Sequence, residues 1–356
     1  MKRFSVSCAR LSRVVLSLGA AALLGSLAIP AHAQITWINY TTGSGLGNNL
    51  VRGVYATGST IYAATQGGGL SISTNNGSGF TNYTLTNGLG SNTVRGVYAA
   101  GSTIYAATTG GLSVSPNNGT TWTNYTTGSG LGSNTVAGVY AAGSTIYAAT
   151  SGGLSISTNN GSGFTNYTLT NGLGSNTVRG VYAAGSTIYA ATTGGLSIST
   201  DSGASWTNRT TANGLGSNTV YGVYAAGSTV YAATALSLSI STNNGTNWTN
   251  YTTGSGLGNN IVLGAYADGS TIYAATSGGL SISTNDGTNW TNYTTGSGLG
   301  NNIVNGVYAA GSTIYAATSG GLSVGVVAVP EPSTYAMALA GLACGGYSLF
   351  RRRRAR

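Results

Sequence analysis

Side chains that perform acid–base, nucleophilic or metal chemistry are scarce in the body of this chain, residues 34–327. The single histidine, His32, precedes that body, and the two cysteines are Cys8 and Cys344 near the two ends. A Ser-His-Asp or Cys-His arrangement is therefore impossible in the body, as is a His/Cys zinc site. Its acidic residues are Asp201, Asp268 and Asp286. A glycosidase needs two carboxylates at one site, and a calcium site needs several at short spacing, whereas these three aspartates are dispersed. We therefore expect that the protein is not an enzyme and that it has no catalytic residue, metal site or cofactor.

One position varies in charge and size between otherwise near-identical segments. It follows the valine of the segment V-x-G-[VA]-Y and is occupied by Arg52, Arg95, Ala137, Arg179, Tyr221, Leu263 and Asn305. Arginine and tyrosine offer charged and stacking contacts to a ligand. Arg52, Arg95, Arg179 and Tyr221 are therefore candidates for a ligand-binding face. The alternative is an exposed position that drifted after recent duplication.

The elements that position these residues are internal repeats. The tyrosine of the same segment recurs at steps of 43 residues once and 42 residues five times, at Tyr55, Tyr98, Tyr140, Tyr182, Tyr224, Tyr266 and Tyr308. Each repeat contains four short runs rich in Val, Ile, Tyr and Thr, separated by turns rich in Gly, Asn and Ser, which predicts four strands. Four strands in about 40–45 residues are typical of a propeller blade. The sequence thus predicts an all-β, seven-bladed β-propeller at residues 34–327.

The two ends of the repeat array complement each other. The body begins with a fourth strand, "ITWINYTT", and ends on a third strand, "GGLSVGVV". Pairing of these N- and C-terminal strands would close the ring and remove its exposed edges. An open β-solenoid is the alternative, but such arrays carry atypical capping repeats.

The repeat resembles that of the two-component-regulator propellers. The stretch "GLGSNTVRGVYAAGSTIYAATSGGLSIS" has their G-L-x-S-N-x-V start and their G-G-L, although "IYAAT" replaces their usual aromatic-Ile-Gly-Thr. The turn between third and fourth strands is similar to the Asp-box, with Ser199, Asp201, Gly203 and Trp206 matching it and Asn replacing Asp in the other turns. In its families the Asp-box stabilises the blade, so the resemblance implies fold and not activity.

Charge is concentrated at the two ends of the chain. The formal net charge is +9, yet the body has four arginines against three aspartates, a net of +1. Nucleic-acid binding requires a basic face, so we expect none. Residues 1–33 combine basic residues, an apolar run and a final "AHA", which predicts a secretory signal peptide. An uncleaved anchor helix is the alternative.

The C-terminal segment, residues 328–356, predicts a transmembrane helix. Seventeen uncharged residues run from Thr334 to Phe350, which as a helix would span about 25 Å, near the lower limit for a bilayer. Arg351, Arg352, Arg353 and Arg354 follow and would hold the end of the helix on the cytoplasmic side. A permanent membrane anchor is one interpretation.

The order of features in this segment resembles the PEP-CTERM sorting signal. Pro330, Glu331 and Pro332 precede the apolar run, and the arginine cluster ends it. The resemblance implies an exosortase-type sorting peptidase as partner, transient residence in the inner membrane of a Gram-negative bacterium, and transfer to the cell surface or the medium. We therefore expect an exported protein with a structural, adhesive or binding role that contacts extracellular polysaccharide. A ligand-binding sensor propeller is the alternative.

Overall fold

The computed structural model describes residues 35–327, and every structural statement below refers to that part of the chain. A compact unit spans Thr36–Val326. The predicted signal peptide and the predicted sorting segment, including Pro330, Glu331, Pro332, its apolar helix and its arginine cluster, lie outside the described residues. No helix within residues 35–327 combines the length and the hydrophobicity of a membrane span.

The described residues form short strands and seven 3-10 turns. In chain order the strands are β1 (Ile35–Tyr40), β2 (Val51–Thr57), β3 (Thr60–Thr65), β4 (Leu70–Ser73), β5 (Thr81–Tyr83), β6 (Val94–Ala100), β7 (Thr103–Thr108), β8 (Gly111–Ser115), β9 (Thr123–Tyr125), β10 (Val136–Ala142), β11 (Thr145–Thr150), β12 (Gly153–Ser157), β13 (Thr165–Tyr167), β14 (Val178–Ala184), β15 (Thr187–Thr192), β16 (Gly195–Ser199), β17 (Thr207–Arg209), β18 (Val220–Ala226), β19 (Thr229–Thr234), β20 (Leu238–Ser241), β21 (Thr249–Tyr251), β22 (Val262–Asp268), β23 (Thr271–Thr276), β24 (Gly279–Ser283), β25 (Thr291–Tyr293), β26 (Val304–Ala310), β27 (Thr313–Thr318) and β28 (Gly321–Val327). The 3-10 turns are Thr42–Ser44, Leu85–Asn87, Thr127–Ser129, Leu169–Asn171, Thr211–Asn213, Thr253–Ser255 and Thr295–Ser297.

The strands assemble into seven four-stranded sheets, the blades of an all-β propeller. Blade 1 contains β2–β5, blade 2 β6–β9, blade 3 β10–β13, blade 4 β14–β17, blade 5 β18–β21 and blade 6 β22–β25. Blade 7 has the order β1-β28-β27-β26, so the first strand of the body lies beside the last one. Consecutive strands pair antiparallel, as in blade 3, where Tyr140 opposes Tyr147.

The hydrophobic core lies between blades. The second strand of each blade, T-[IV]-Y-A-A-T, is buried apart from its first residue, because it is covered on both faces. Each core cluster combines two neighbours, as where Tyr105 and Leu112 of blade 2 pack with Val136 and Ile146 of blade 3. Blades 7 and 1 pack in the same way through Tyr315 and Ile61. Two adjacent alanines in each second strand let neighbouring sheets approach closely.

The innermost strands line a central channel. A glycine in each lets these strands approach: a Cβ on Gly53 would lie 3.2 Å from the carbonyl oxygen of Arg95 in the next blade. Two residues further along, the seven V-x-G-[VA]-Y tyrosines form a ring, here named the tyrosine ring. Their neighbouring aromatic centroids are 4.8–5.1 Å apart all the way round. Tilted contacts of this kind stabilise each pair by about 0.5–1.5 kcal/mol beyond burial.

The Asp-box-like turns hold the third and fourth strands together. The Ser199 hydroxyl donates to Asp201 Oδ1 at 2.7 Å and accepts the Gly203 amide at 2.8 Å. The side chain of Ser205 donates to the other carboxylate oxygen of Asp201, and its amide donates to Oδ1 at 2.9 Å. These bonds, chiefly those from Ser205, lower the pKa of Asp201 to about 2. The carboxylate is therefore engaged in the turn, and Asn accepts the equivalent bonds elsewhere, as in Asn243.

Candidate ligand-binding site at the channel mouth

The structure brings the seven variable residues together at one mouth of the channel. Arg52, Arg95, Arg179 and Tyr221 line a single open cavity of about 230 Å³. The remaining lining is Ala137, Leu263 and Asn305. Residues about 42 positions apart in the sequence thus form one continuous rim, with one residue from each blade.

A β-bulge in every blade directs these side chains. The pairing of the first two strands shifts between Val51 and Gly53 in blade 1, so that Arg52 has no partner in the ladder. The same shift occurs in the other six blades at the equivalent position. A bulge leaves the extra residue unpaired and re-aims its side chain. The rim is therefore built by the backbone, while the residue type at each bulge is free to differ.

Blade 1 anchors its own arginine. The guanidinium of Arg52 donates through Nε to Gln66 Oε1 at 2.8 Å, and its terminal nitrogen donates to the same oxygen. Gln66 lies directly after the second strand and forms an isolated bridge with Thr93 of the next repeat. Burial and then the neighbouring charge of Arg95 lower the pKa of Arg52. Sequence reasoning missed Gln66, although the unusual "QGGGL" of this repeat was a signal.

Two further contacts order the rim, one between blades 4 and 5 and one between blades 7 and 1. The guanidinium carbon of Arg179 lies 5.1 Å from the ring centroid of Tyr221, a cation–π contact of about 0.5–1 kcal/mol at an exposed site. The side-chain amide of Asn305 donates to the Val51 carbonyl at 2.8 Å, linking blade 7 to blade 1. Arg179 is thereby oriented by its neighbour rather than left fully mobile.

The acidic residues of the described chain lie away from this rim. Asp201 and Asp286 are in turns between third and fourth strands. Asp268 is the last residue of β22, at the opposite end of that strand from the rim residue Leu263. No carboxylate therefore lines the cavity formed by the arginines. A mouth lined by one sign of charge concentrates ions of the opposite sign.

The tyrosine ring supplies the polar groups beneath the rim. Burial raises the pKa of Tyr98 and Tyr140 in the tyrosine ring, and the nearby phenols of Tyr140 and Tyr182, respectively, raise it further. These phenols stay protonated at neutral pH, so they are hydrogen-bonding and stacking groups there. Within residues 35–327, no cluster of three His, Cys, Asp or Glu side chains is placed to hold a metal ion.

Grooves between blades open on the opposite face. One of them, about 570 Å³, lies between blades 1 and 2 and is lined by Tyr62, Tyr83 and Asn118 among others. Equivalent grooves of about 240 and 230 Å³ follow between blades 2 and 3 and between blades 5 and 6. Thr60, on the groove, pairs with the last residue of β2, whereas Arg52 is near the start of that strand. Sequence reasoning did not anticipate these grooves.

Comparison with known proteins identifies the end of the chain and the fold. Residues 328–354 match the family described as the PEP-CTERM protein-sorting motif. No curated protein matches the chain. Among solved structures, the extracellular domain of the hybrid two-component system BT3049 from B. thetaiotaomicron is 20% identical with a TM-score of 0.70. That match covers 81% of this chain and 41% of the other, so this chain spans less than half of that domain.

Two other propellers show how varied the functions on this fold are. The structure of YCF48 bound to D1 peptide is 14% identical with a TM-score of 0.64, covering 84% of this chain and 98% of that one. The GH74 enzyme of Niastella koreensis is 23% identical with a TM-score of 0.56, covering 77% and 42%. At such identities the likeness shows the fold alone. This chain therefore carries a PEP-CTERM protein-sorting motif at residues 328–354 and a seven-bladed β-propeller of the kind seen in the extracellular domain of a two-component system.

Proposed function

We propose that this chain is an exported, non-enzymatic binding protein of the cell surface that receives its ligand at the channel mouth. The observation that supports this is the rim of seven bulge residues, where Arg52, Arg95, Arg179 and Tyr221 share one cavity. The repeats are otherwise nearly uniform, so this rim is where the blades differ most in chemistry. Binding sites commonly combine a few oriented polar groups with apolar ones in a concave place.

Export proceeds through the C-terminal motif. An exosortase-type peptidase recognises the segment with Pro330, Glu331 and Pro332 while the apolar run and Arg351–Arg354 hold it in the inner membrane. Processing then transfers the propeller, residues 34–327, to the surface or the medium, after the signal peptide of residues 1–33 has been removed. The match of residues 328–354 to the sorting motif supports this route.

Pairing of β1 with β28 closes the propeller. The Ser323 hydroxyl donates to Asn39 Oδ1 at 2.6 Å, and the Asn39 amide donates to the Gly298 carbonyl at 2.9 Å. The same two bonds recur at Asn124 of blade 2, with Ser113 of that blade and with Gly88 in the loop before it. Blade 7 therefore repeats the internal chemistry of a blade whose strands are consecutive, which supports a closed ring.

A second candidate function is adhesion to extracellular polysaccharide in a matrix. The equivalent grooves between blades support it, since each presents tyrosine, threonine and amide groups, as with Tyr231, Thr229 and Asn247. Repetition of a weak site increases the overall affinity for a polymer without any strong single contact. A sensor role, the third candidate, is supported by the likeness to an extracellular domain of a two-component system.

Cell fractionation tests the export route. Replacing Pro330, Glu331 and Pro332 together with alanine should leave a larger product retained in the membrane fraction, whereas the wild type should appear smaller, at the surface or in the medium. Replacing Ser333 alone with alanine is the matched control and should not change the product. If the triple variant has wild-type size and location, the sorting proposal is wrong.

Retention on extracellular polysaccharide separates the binding candidates. A single receptor site at the mouth predicts saturable binding that Arg95→Ala or Arg179→Ala weakens. Adhesion through the grooves predicts shallow, non-saturating binding that neither substitution changes. Arg209→Ala, which removes one charge from the outer strand β17, is the control for an unspecific charge effect.

A further inference from the structure

We propose that the channel mouth binds the carboxylate of a small ligand between Arg95 and Arg179, with the rest of that ligand against Tyr221 and Leu263. This inference rests on the proposed function, because it names the ligand chemistry of the same site. The argument combines the charge of the rim, the existing bonds of its arginines, and its asymmetry.

The rim carries positive charge without an internal counter-ion. Three guanidinium groups line one cavity, and none of the three aspartates of the described chain does so. Arg52 and Arg95 are close enough for the charge of one to lower the pKa of the other. An oxyanion bound by Arg95 offsets this repulsion and accepts charge-assisted hydrogen bonds.

Two of the three arginines are free to hold that oxyanion. Arg52 is already bonded to Gln66. Within residues 35–327, by contrast, Arg95 and Arg179 make no side-chain hydrogen bond, and Arg179 only stacks on Tyr221. They extend from blades 2 and 4, on either side of Ala137 in blade 3. Ala137, the rim residue between them, has only a methyl side chain, and the planar guanidinium suits a two-oxygen partner.

The other part of the rim suits an uncharged portion of the ligand. Going round the ring, Tyr221 and Leu263 follow Arg179, so an aromatic face and an aliphatic side chain adjoin the cationic residues. The cavity volume, about 230 Å³, is below the roughly 300–1,000 Å³ that enclose a drug-sized ligand. It therefore takes one charged group with a single ring or side chain. A sugar acid and the carboxyl terminus of a peptide both have this chemistry.

Calorimetric titration of the full-length protein tests the inference. The probes are glucuronate with glucose as its uncharged counterpart, and acetyl-trialanine with its C-terminal amide. We expect at least one carboxylate to bind about 10-fold or more tightly than its counterpart. Arg95→Ala and Arg179→Ala should each weaken that binding by about 10- to 100-fold, the loss expected for charge-assisted hydrogen bonds. Arg209→Ala should leave the affinity unchanged, and added salt should reduce it.

The two carboxylate probes distinguish the possible sources of the natural ligand. Tighter binding of glucuronate indicates a saccharide ligand, and tighter binding of acetyl-trialanine indicates a protein ligand. The inference is overturned if neither carboxylate binds, or if Arg209→Ala weakens binding as much as Arg95→Ala. Suppose the uncharged probes bind as tightly as the acids, and Tyr221→Ala abolishes their binding. Recognition of a carboxylate is then refuted, while the channel mouth remains a ligand-binding site as proposed. If instead no rim substitution alters either probe binding or retention on polysaccharide, the proposed function fails as well.

Discussion

The proposed closure of the propeller by its first strand leads to a sharp prediction, because the repeats provide an internal control. Asn39→Ala removes a side chain that joins β1 to its neighbours in blade 7. Asn124→Ala removes the equivalent side chain in blade 2. Both asparagines accept a serine hydroxyl at 2.6 Å and donate to a glycine carbonyl at 2.9 Å. The two substitutions therefore delete the same bonds.

The difference between them is connectivity. Asn39 is separated from its serine partner by 284 residues, whereas Asn124 is separated from its own by 11. Each hydrogen bond contributes about 0.5–1.5 kcal/mol net. Both asparagines are exposed, so water competes and the lower half of that range applies. The expected loss is about 1–2 kcal/mol for either substitution, provided that β1 is paired with β28 in solution.

Urea unfolding measures the comparison directly. If the ring is closed, both variants should lower the free energy of unfolding by the same amount, with an unchanged dependence on urea. Amide hydrogen exchange shows which strands are destabilised. Asn39→Ala should accelerate exchange in β28 by about 5- to 30-fold, the equivalent of about 1–2 kcal/mol. Amides of β8 in blade 2 that exchange by local opening should be unaffected.

Two results would contradict this reasoning. If Asn124→Ala destabilises the protein and Asn39→Ala does not, then β1 is not held in blade 7 and the ring is not closed by this pairing. If neither substitution has an effect, the contribution assigned to these exposed hydrogen bonds is wrong.

Three further predictions concern the turns and the channel. Gly111→Ala should destabilise the protein by about 1–3 kcal/mol in urea unfolding, because φ is 128° and a Cβ would lie 2.2 Å from a neighbouring carbonyl oxygen. Gly101→Ala, with φ of 59° and open space around it, should cost less; equal losses would refute the steric argument. The low pKa of Asp201, about 2, means that its ionised form stabilises the fold above the ordinary pKa of about 4, and that this stabilisation is lost as pH falls towards 2. Asp201→Asn should therefore reduce the drop in thermal stability between about pH 5 and pH 2, and an unchanged drop would contradict the turn geometry. The raised pKa of Tyr98 favours its neutral form, so stability should hold below the ordinary pKa of about 10 and decline above it. Tyr98→Phe should lessen that decline in stability, which phenolate absorbance and circular dichroism follow. If the variant declines as the wild type does, burial of the Tyr98 phenol is not the cause of the decline.

Much of the fold could be predicted from local chemistry. The interval between tyrosines such as Tyr98 and Tyr140 defines the repeat, and the β-branched and aromatic runs between Gly- and Asn-rich turns define four strands in it. Pairing of neighbouring strands joined by tight turns then follows with little choice. The blade number and the all-β class were predictable for that reason.

The candidate site was predictable only in part. Variation at Arg52, Arg95, Arg179 and Tyr221 stood out against uniform repeats, so the residues could be named. The bulge that turns them towards the mouth could not, because it depends on how Val51 and Gly53 pair with the second strand. Gln66 was missed since its contact with Arg52 depends on side-chain placement that no local pattern encodes.

Residues close together in the chain define the seven-fold repeat, the strand order within a blade and the sorting motif at residues 328–354, so these features could be predicted without the structure. Tertiary structure alone decided that seven positions about 42 residues apart share one rim, and that Arg179 stacks on Tyr221 while Arg52 is bonded to Gln66. These contacts form only when separate blades pack side by side around a common axis. Blade packing thus converts one variable position per repeat into a continuous, positively charged mouth.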